Sequence, residues 1–257
     1  MPIITLTTDM GISDFSVASI KAALLKDLPN ASIVDVTHAI EPFNIKATAF
    51  LIKNAYRQFP EGTIHLVSVD REGFSNTSVL AVRKNGQYFI GADNGLFSLV
   101  FNNMDELVLL TIPPDPNSLS FIAKDIMVKA AGHIAKGGKI SEIGHKHKNY
   151  VQFTESFPIY DHNSVRATIW HIDKYGNCIF NLEKSLFERL RRNRKFTIEL
   201  KGDPITSISR RYNDVPSGNL VALFTSYGLL EISMTFGNFA ELVGYKIGHN
   251  VLINFTF

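Results

Sequence analysis

The first half of the chain alternates short apolar runs with segments whose apolar residues recur every three or four positions. The runs predict buried strands and the periodic segments predict helices. The predicted strands are Ile3–Leu6, Ser32–Val36, Ile64–Val69, Val79–Val82, Tyr88–Ile90 and Glu106–Thr111, and the predicted helices are Phe15–Lys26, Ile45–Gln58 and Ile126–Ala135. Alternation of strand and helix favours an α/β domain with a mostly parallel sheet that is covered on both faces.

The second half of the chain has a different pattern, with short apolar segments separated by turn residues. The strands predicted there are Ala167–Ile172, Phe196–Leu200, Val221–Phe224, Leu230–Met234 and Val251–Phe255. Such a series is typical of a small barrel or sandwich. We therefore predict an α/β domain at residues 1–149, a linker at 150–164 and a small all-β barrel domain at 165–257.

Composition narrows the class of protein. The chain has 257 residues, of which 45% are hydrophobic, and a formal net charge of +2. This balance does not favour binding to nucleic acid or to a membrane surface. No apolar run is long enough to cross a membrane and no signal peptide is visible, so we expect a cytoplasmic protein. The single cysteine, Cys178, excludes an internal disulfide and is interpreted as a packing residue.

Polar residues follow several predicted strands of the first half. Asp9, His38, Asp70 and the segment Asp93–Gly95 each lie where an apolar run ends. The carboxyl ends of parallel strands share one edge of a sheet, which is where open α/β sheets hold their ligands. His38 is also consistent with a core histidine, and Asp93–Gly95 with a simple turn. Asp9 and Asp70 are harder to explain by structure alone, because each follows a buried strand.

A similar polar segment occurs in the second half. Asp173 lies at the end of a predicted strand and is followed by Gly176 and Asn177. Together with Asp9 it suggests one polar ligand that is held from two parts of the chain. The basic run Arg189–Arg194 is interpreted as a solvated helix end rather than an anion site, since no glycine-rich or aromatic residues accompany it.

Several segments resemble the family that includes the S-adenosyl-L-methionine (SAM) hydroxide adenosyltransferases, or SAM hydrolases, and the SAM-dependent fluorinases and chlorinases. The matching segments are Ile4–Gly11, Ile33–His38, Phe59–Thr63, Ala92–Leu96 and Ser226–Ile232, with Gly237–Asn238. Their order and spacing cover nearly the whole chain. The resemblance implies the α/β-plus-barrel fold and a homotrimer, with a SAM site between one subunit's N-terminal domain and its neighbour's C-terminal domain. It implies no cofactor and no metal, with SAM as substrate or ligand.

The resemblance also implies roles for individual residues. Asp9 would bind the ribose hydroxyls, a task suited to a carboxylate that accepts two hydrogen bonds. Phe43 and Phe121 would line the ribose and sulfonium region, and Asp173 with Ser226 would hold the methionine ammonium and its surroundings. At the base, Tyr175 would stack on adenine, while Asn177, Asn238 and the backbone at Phe239 would read its polar edge. The remaining substrate-binding residues within the matching segments are Asn94, Tyr227 and Glu231.

The chain departs from the family pattern at the catalytic centre. In the hydrolases of this family an Asp, an Arg and a His act together. Asp70 occupies the Asp position, whereas Thr77 stands at the Arg position and Ile122 at the His position. Neither Thr nor Ile carries a charge or transfers a proton at neutral pH. Halide chemistry is disfavoured, because Ala123 stands at the halide-site serine and the Asp70 carboxylate would repel an anion.

Three functions remain open from the sequence. The first is cleavage of SAM by water to adenosine and L-methionine, with Asp70 as the surviving catalytic residue. The second is a non-catalytic protein that binds SAM or adenosine on the same scaffold. The third is a metal-dependent hydrolase in which Asp9, Asp70 and Asp93 hold a hard cation such as magnesium.

Overall fold

The computed structural model describes residues 1–70, 78–113, 121–154 and 156–256. The chain divides into two compact units, Met1–Thr154 and Glu155–Phe257. This division agrees with the predicted two-domain layout. Within the described ranges, no helix is both long and apolar enough to span a bilayer.

The N-terminal unit is built on a seven-stranded sheet with the order β2-β1-β3-β5-β4-β6-β7. Its strands are β1 Ile3–Thr8, β2 Ser32–Thr37, β3 Ile64–Ser68, β4 Val79–Lys84, β5 Gln87–Ala92, β6 Glu106–Leu110 and β7 Gly144–Lys146. Neighbours in the group β2-β1-β3-β5 pair in parallel, and the remaining pairs are antiparallel. The predicted mostly parallel sheet is therefore confirmed, with antiparallel additions at one side.

Helices cover both faces of this sheet. They are α1 Ser16–Asp27, α2 Ile45–Ala55, α3 Leu96–Val100 and α4 Val128–Ala135. Apolar residues of α1 and α4 pack with β1 and β3 in one core cluster, and those of α2 and α3 pack in a second. Strands buried on both faces need a nearly continuous apolar sequence, which is why β1 and β3 could be recognised as short runs.

Local sequence signals set two of the boundaries. Asn44 begins α2, because its side chain accepts a hydrogen bond from the Ala47 N–H at 3.0 Å. Asn85 and Gly86 join β4 to β5 with φ values of +50° and +71°. Asn and Gly are the residues that tolerate positive φ in such a two-residue turn, so the predicted hairpin is confirmed.

The C-terminal unit contains a second, entirely antiparallel sheet. Its main path runs β11-β14-β9-β10-β13-β12, with β8 paired to β9. The strands are β8 Ile159–Tyr160, β9 Ser164–Ile172, β10 Cys178–Glu183, β11 Lys195–Glu199, β12 Leu220–Phe224, β13 Leu229–Met234 and β14 Asn250–Thr256, and the helices are α5 Lys184–Arg191 and α6 Phe239–Val243.

The predicted small all-β barrel is confirmed in part, as a curled antiparallel half-barrel. In the described residues the path ends at β11 and β12, which do not pair with each other, so the barrel is not closed. Phe187 of α5 packs edge-on against Phe196 of β11 in the core of this sheet, with ring centres 5.1 Å apart. Strand pairing between distant segments is not encoded by local alternation, which explains this difference.

The predicted linker at 150–164 is divided between the two units. The Val151 and Phe153 N–H groups donate to Asp93 Oδ1 and Ser98 Oγ, both at 2.8 Å, in the N-terminal unit. Further along, the Ser156 carbonyl accepts from Asn181 Nδ2 at 2.9 Å in the C-terminal unit. Both ends of this segment are thus fixed by hydrogen bonds.

The basic run Arg189–Arg194 lies at the end of α5 and is partly structural. Arg194 donates to the carbonyls of Leu190 and His162 at 2.9 and 2.6 Å. The guanidinium of Arg191 lies 5.1 Å from the centre of the Phe196 ring, within the range of cation–π attraction. Arg191 and Arg194 therefore tie α5 to the sheet, while Arg189 and Arg192 are exposed at the helix end, as the sequence predicted.

His65 places a buried polar side chain in the core of the N-terminal unit. The His65 ring is hydrogen-bonded at 2.7 Å to Thr5 Oγ1 through Nδ1 and at 2.7 Å to Gln87 Oε1 through Nε2. Burial lowers the pKa of His65 from 6.5 to about 4, although the bond to Gln87 opposes the shift. The histidine is therefore neutral in the folded protein near pH 7.

This shift predicts a loss of stability in mild acid. Below pH 6.5 the unfolded chain binds a proton at His65 while the folded chain does not until about pH 4, so stability falls across that window. We expect wild type to lose about 2 kcal/mol more than His65→Gln between pH 7 and pH 5. Denaturant titrations at both pH values measure this difference. His145→Gln, at an exposed position, is the control, and parallel profiles for wild type and His65→Gln would contradict the prediction.

Candidate functional site

Asp9 follows β1 at the carboxyl edge of the parallel strands. Its Oδ2 accepts a hydrogen bond of 2.9 Å from the Phe43 N–H in the loop before α2. Phe43 has a φ of +66°, which is an outlier for a bulky residue, and its side chain is 58% exposed. The carboxylate thus holds Phe43 in a strained conformation with its ring facing outward, and keeps further acceptor capacity for a ligand.

His38 connects the ends of β1 and β2 beside Asp9. Its Nδ1 is hydrogen-bonded to Thr8 Oγ1 at 2.9 Å, and its carbonyl accepts from the Gly11 N–H at 2.8 Å. The opposite ring nitrogen lies 3.1 Å from Asp35 Oδ1 without the alignment of a hydrogen bond. His38 is buried, as expected for a core histidine, and it fixes the segment on either side of Asp9.

Asp70 and Asn94 follow the adjacent strands β3 and β5. Asn94 Nδ2 donates to the Val69 carbonyl at 2.8 Å, and its Oδ1 accepts from the Leu96 N–H at 3.2 Å. Asn94 therefore links the start of α3 to the backbone immediately before Asp70, which is itself half-buried. In this structure Asn94 positions the Asp70 loop through the backbone.

Phe121 and Ile122 precede α4 and pack against the core cluster beneath it. Residues Ala123–Met127 form a π-helical turn, a wider winding that recurs at functional sites. The turn is anchored by the Asp125 N–H, which donates to the Phe121 carbonyl at 2.9 Å. Ile122, which the resemblance predicts to stand at the family's histidine position, is a half-buried apolar side chain. Thr77, predicted to stand at the arginine position, lies outside the described residues.

The described carboxylates of the N-terminal unit do not form a metal centre. Among the described residues, which include Asp9, Asp70 and Asp93, no group of three or more His, Cys, Asp or Glu side chains is arranged to hold an ion. Asp9 and Asp93 instead accept backbone hydrogen bonds from Phe43 and Val151. The geometry gives no support to the metal-dependent hydrolase.

Asp173 organises a tight loop between β9 and β10. Its Oδ1 accepts from the N–H groups of Tyr175 and Asn177 at 2.9 and 3.0 Å, and its Oδ2 accepts from Asn177 Nδ2 at 2.9 Å. A carboxylate with this many donors is held in one orientation. The loop leaves the Tyr175 ring 76% exposed.

Gly176 lies directly against the side chain of Asn238. The glycine has a φ of +82°, and a Cβ placed on it would lie 1.8 Å from Asn238 Oδ1. Asn238 begins α6 by accepting from the Glu241 N–H at 3.0 Å. The Ala240 N–H donates to the Gly176 carbonyl at 3.0 Å. The loop that holds Asn177 and the start of α6 are therefore packed at the closest approach that glycine allows.

Phe239, by contrast, is fully buried. Its ring packs edge-on against Tyr245 with centres 5.5 Å apart. The Phe239 side chain is therefore a core residue, which leaves only its backbone for the predicted reading of adenine.

The turn between β12 and β13 exposes Ser226 and Tyr227 and is closed by the Gly228 N–H, which donates to the Thr225 carbonyl at 2.9 Å. Glu231 follows on β13 and is buried. Its Oε1 accepts from the Tyr212 hydroxyl at 2.8 Å and from Ser233 Oγ at 2.6 Å. Glu231 thus contacts its own unit's hydroxyls, which does not test its predicted ligand role.

Sequence reasoning missed Tyr212. Burial raises the pKa of its hydroxyl, and the Glu231 carboxylate raises it further, so the hydroxyl stays protonated and donates. The same two causes, burial and then Glu231, raise the pKa of Tyr227. Burial and the nearby carboxylates of Asp173 and Glu231 also raise the pKa of Cys178 to about 12. The thiol is therefore inert, and Asp173 and Glu231 make this part of the unit electronegative.

The described residues also line a cavity of about 540 Å³ in the C-terminal unit, beside Glu199, Lys201, Tyr245 and His249. It includes none of the residues predicted to bind a ligand. Its mixture of charges and its open shape indicate a surface groove rather than the ligand site.

The structure thus defines a two-unit protein, with aspartates at the strand ends of the α/β unit and exposed tyrosines in the loops of the β unit. The family models of the SAM hydroxide adenosyltransferase N-terminal and C-terminal domains match residues 4–144 and 167–252. The chain belongs to the SAM hydroxide adenosyltransferase family.

Curated relatives match nearly the full chain. An (R)-S-adenosyl-L-methionine hydrolase of Thermus thermophilus is 28% identical, covering 94% of this chain and 95% of its own length. The hydrolase of the same name from Methanocaldococcus jannaschii is 27% identical over 95% and 92%. A fluorinase of Nocardia brasiliensis is 24% identical over 98% and 96%.

A solved structure of an uncharacterized conserved protein from Thermotoga maritima matches the whole fold. It has a TM-score of 0.88 and 25% sequence identity, and the alignment covers 99% of this chain and 100% of the other.

The contact between Gly176 and Asn238 predicts an unequal effect of two alanine substitutions. Gly176 and Gly218 have almost the same φ, +82° and +81°, but a Cβ at Gly218 meets nothing within 4 Å. Both variants share the backbone strain of about 1–2 kcal/mol. Gly176→Ala should lose roughly 1–3 kcal/mol more, because its methyl group overlaps Asn238. Denaturant unfolding compares the two, and equal losses would show that the close approach is absent.

Proposed function

We propose that this protein binds SAM and cleaves it with water to adenosine and L-methionine. The observation that supports this most is the match to hydrolases of that name along nearly the whole chain, together with an aspartate, Asp70, at the end of a central parallel strand. The proposal includes the two predicted departures from the family pattern, Thr77 at the arginine position and Ile122 at the histidine position.

The proposed reaction needs no general acid, because the sulfonium of SAM is already a charged leaving group. A water oxygen forms a bond to C5′ of the ribose as the C5′–S bond breaks, and the electron pair stays on sulfur. Methionine leaves as a neutral thioether, and the water loses one proton. The protein must orient the water in line with C5′ in a site with little solvent, and Asp70 is the group that we propose accepts the proton.

We retain the predicted ligand contacts as parts of this proposal. Asp9 binds the ribose hydroxyls, and Phe43 and Phe121 line the ribose and sulfonium. Asp173 and Ser226 hold the amino-acid end, where the electronegative surroundings made by Asp173 and Glu231 suit an ammonium group. Around the base we propose Tyr175, Asn177, Asn238 and the backbone at Phe239. We propose no cofactor, a homotrimer that sedimentation can test, and a cytoplasmic location.

Replacement of Asp70 distinguishes an enzyme from a protein that binds SAM without cleaving it. We expect Asp70→Asn to lower kcat for adenosine release by at least about 100-fold, because loss of a general base has that effect. It should still be stabilised against heat by SAM. Chromatography of adenosine and methionine measures the rate, and Asp203→Asn, an exposed carboxylate in the C-terminal unit, is the matched control.

A second function, binding of SAM or adenosine without turnover, is favoured by one observation. Ile122 packs against the apolar core at the position of the family's histidine, where no proton can be transferred. Thermal protection by SAM without product above background would establish this function. Turnover that is lost on dialysis against a chelator would contradict both proposals.

The two departures from the family can be reversed. We expect Thr77→Arg combined with Ile122→His to raise turnover of SAM, because the pair restores a cation and a proton-transferring ring around Asp70. Thr77→Ser combined with Ile122→Leu is the neutral control. No gain over this control would mean that the site differs from the hydrolases in more than these two residues.

A further inference from the structure

Phe236 has an unusual backbone conformation in the turn between β13 and α6. Its φ is +55°, and its side chain is 94% exposed. Positive φ is a genuine outlier for a bulky residue, and glycine would adopt it without strain. A large apolar ring in solvent gains nothing from burial in this unit, so neither local preference nor packing explains its presence here.

The surrounding turn enforces the conformation of Phe236. The Gly237 N–H donates to the Met234 carbonyl at 3.2 Å, and the Thr235 N–H donates to the Asn219 carbonyl at 3.0 Å. Thr235 Oγ1 donates to the Tyr212 carbonyl at 2.8 Å. These bonds hold the residues on both sides of Phe236. Strain that is held in this way is found preferentially at ligand sites.

The position of Phe236 indicates what it contacts. Asn238, two residues on, lies against Gly176 in the loop that carries Tyr175 and Asn177. The Thr235 bond links the same turn to Tyr212, whose ring is half exposed. Phe236 therefore lies in the turn that leads directly into Asn238, one of the residues proposed to read the edge of adenine.

The N-terminal unit repeats this combination at Phe43. That residue also has a positive φ, an exposed ring and a backbone held by hydrogen bonding, in its case to Asp9. Among the described residues, the other non-glycine positions with positive φ are Asn85, Arg192 and Asn193, all at ordinary turns or helix ends.

We propose that Phe236 is a stacking residue that packs its ring on the base of the bound nucleoside. The inference rests on the proposed binding of SAM or adenosine and adds a residue that sets affinity for the purine. The ring face contacts the face of the base, while Asn177 and Asn238 contact its edge. The hydrogen-bonded turn fixes the backbone from which the ring projects before the ligand binds, which lowers the entropy lost on binding.

Calorimetric titration of the full-length protein with adenosine tests the proposal. Phe236→Gly should weaken adenosine binding roughly tenfold, in the range of stacking on an aromatic side chain. It should also raise Tm by a few degrees, because glycine relieves the strain. Phe236→Tyr retains the ring and should bind within about twofold of wild type. Inosine should lose the same factor as adenosine, since stacking is insensitive to the edge of the base.

Arg192→Gly is the matched control. Arg192 has a similar φ, +48°, at the end of α5. Its replacement should raise Tm in the same way and leave adenosine affinity unchanged. A gain in stability with a loss of affinity is thus specific to Phe236, and a purely structural role would not produce it.

Each other outcome overturns the inference. If Phe236→Gly binds adenosine as tightly as wild type, the ring does not contact the base, and a simultaneous change in sedimentation would make it a contact between copies of the chain. If wild type binds neither adenosine nor SAM, the proposed function fails and this inference fails with it. If wild type binds both ligands but the Phe236 variants do not show the expected affinities, the proposed function is kept and the stacking role of Phe236 is rejected.

Discussion

The parallel pairing of β1 with β2 and β3 is the constraint on which the arrangement of polar residues in the N-terminal unit depends. It aligns Thr8 with Ser68 and brings Thr7 opposite Thr37. Three consecutive carboxyl ends therefore reach the same edge, and Asp9, His38 and Asp70 follow them within one or two residues. A shift of one residue in either register would exchange side chains between the two packed faces of the strand, so the close packing of β1 and β3 enforces the arrangement of the polar residues.

Much of the N-terminal unit could be predicted because its signals are local. A strand buried on both faces appears as an apolar run, and Asn85-Gly86 specifies a tight turn by its backbone preferences. The C-terminal unit was harder. β10 contains the polar Asn181 and runs directly into α5 at Glu183 without a turn residue, so neither element was recognised. Asn181 is tolerated in the core because it bonds the backbone of Thr168 and Ser156.

Candidate functional residues could be predicted from the sequence only where the residue type and its place after a strand are themselves informative. Asp9, Asp70 and Asp173 stand out as carboxylates after strands. The link from Tyr212 to Glu231 spans 19 positions and joins a short helical turn to β13, so no local pattern contains it. The conformation of Phe236 was equally hidden, because phenylalanine normally avoids positive φ and only the surrounding hydrogen bonds impose it.

The two units share one structural feature, a carboxylate that holds a loop carrying an exposed aromatic residue. A carboxylate in each unit accepts backbone N–H groups, Asp9 from Phe43 and Asp173 from Tyr175 and Asn177. Each bond fixes a loop whose aromatic ring then remains exposed, although exposure alone lowers stability. Rings and acceptors that are oriented before a ligand arrives reduce the entropy lost on binding. The exposed rings of Phe43 and Tyr175 are thus held at a cost to the stability of the free protein, and this is why both residues enter the proposed binding of SAM.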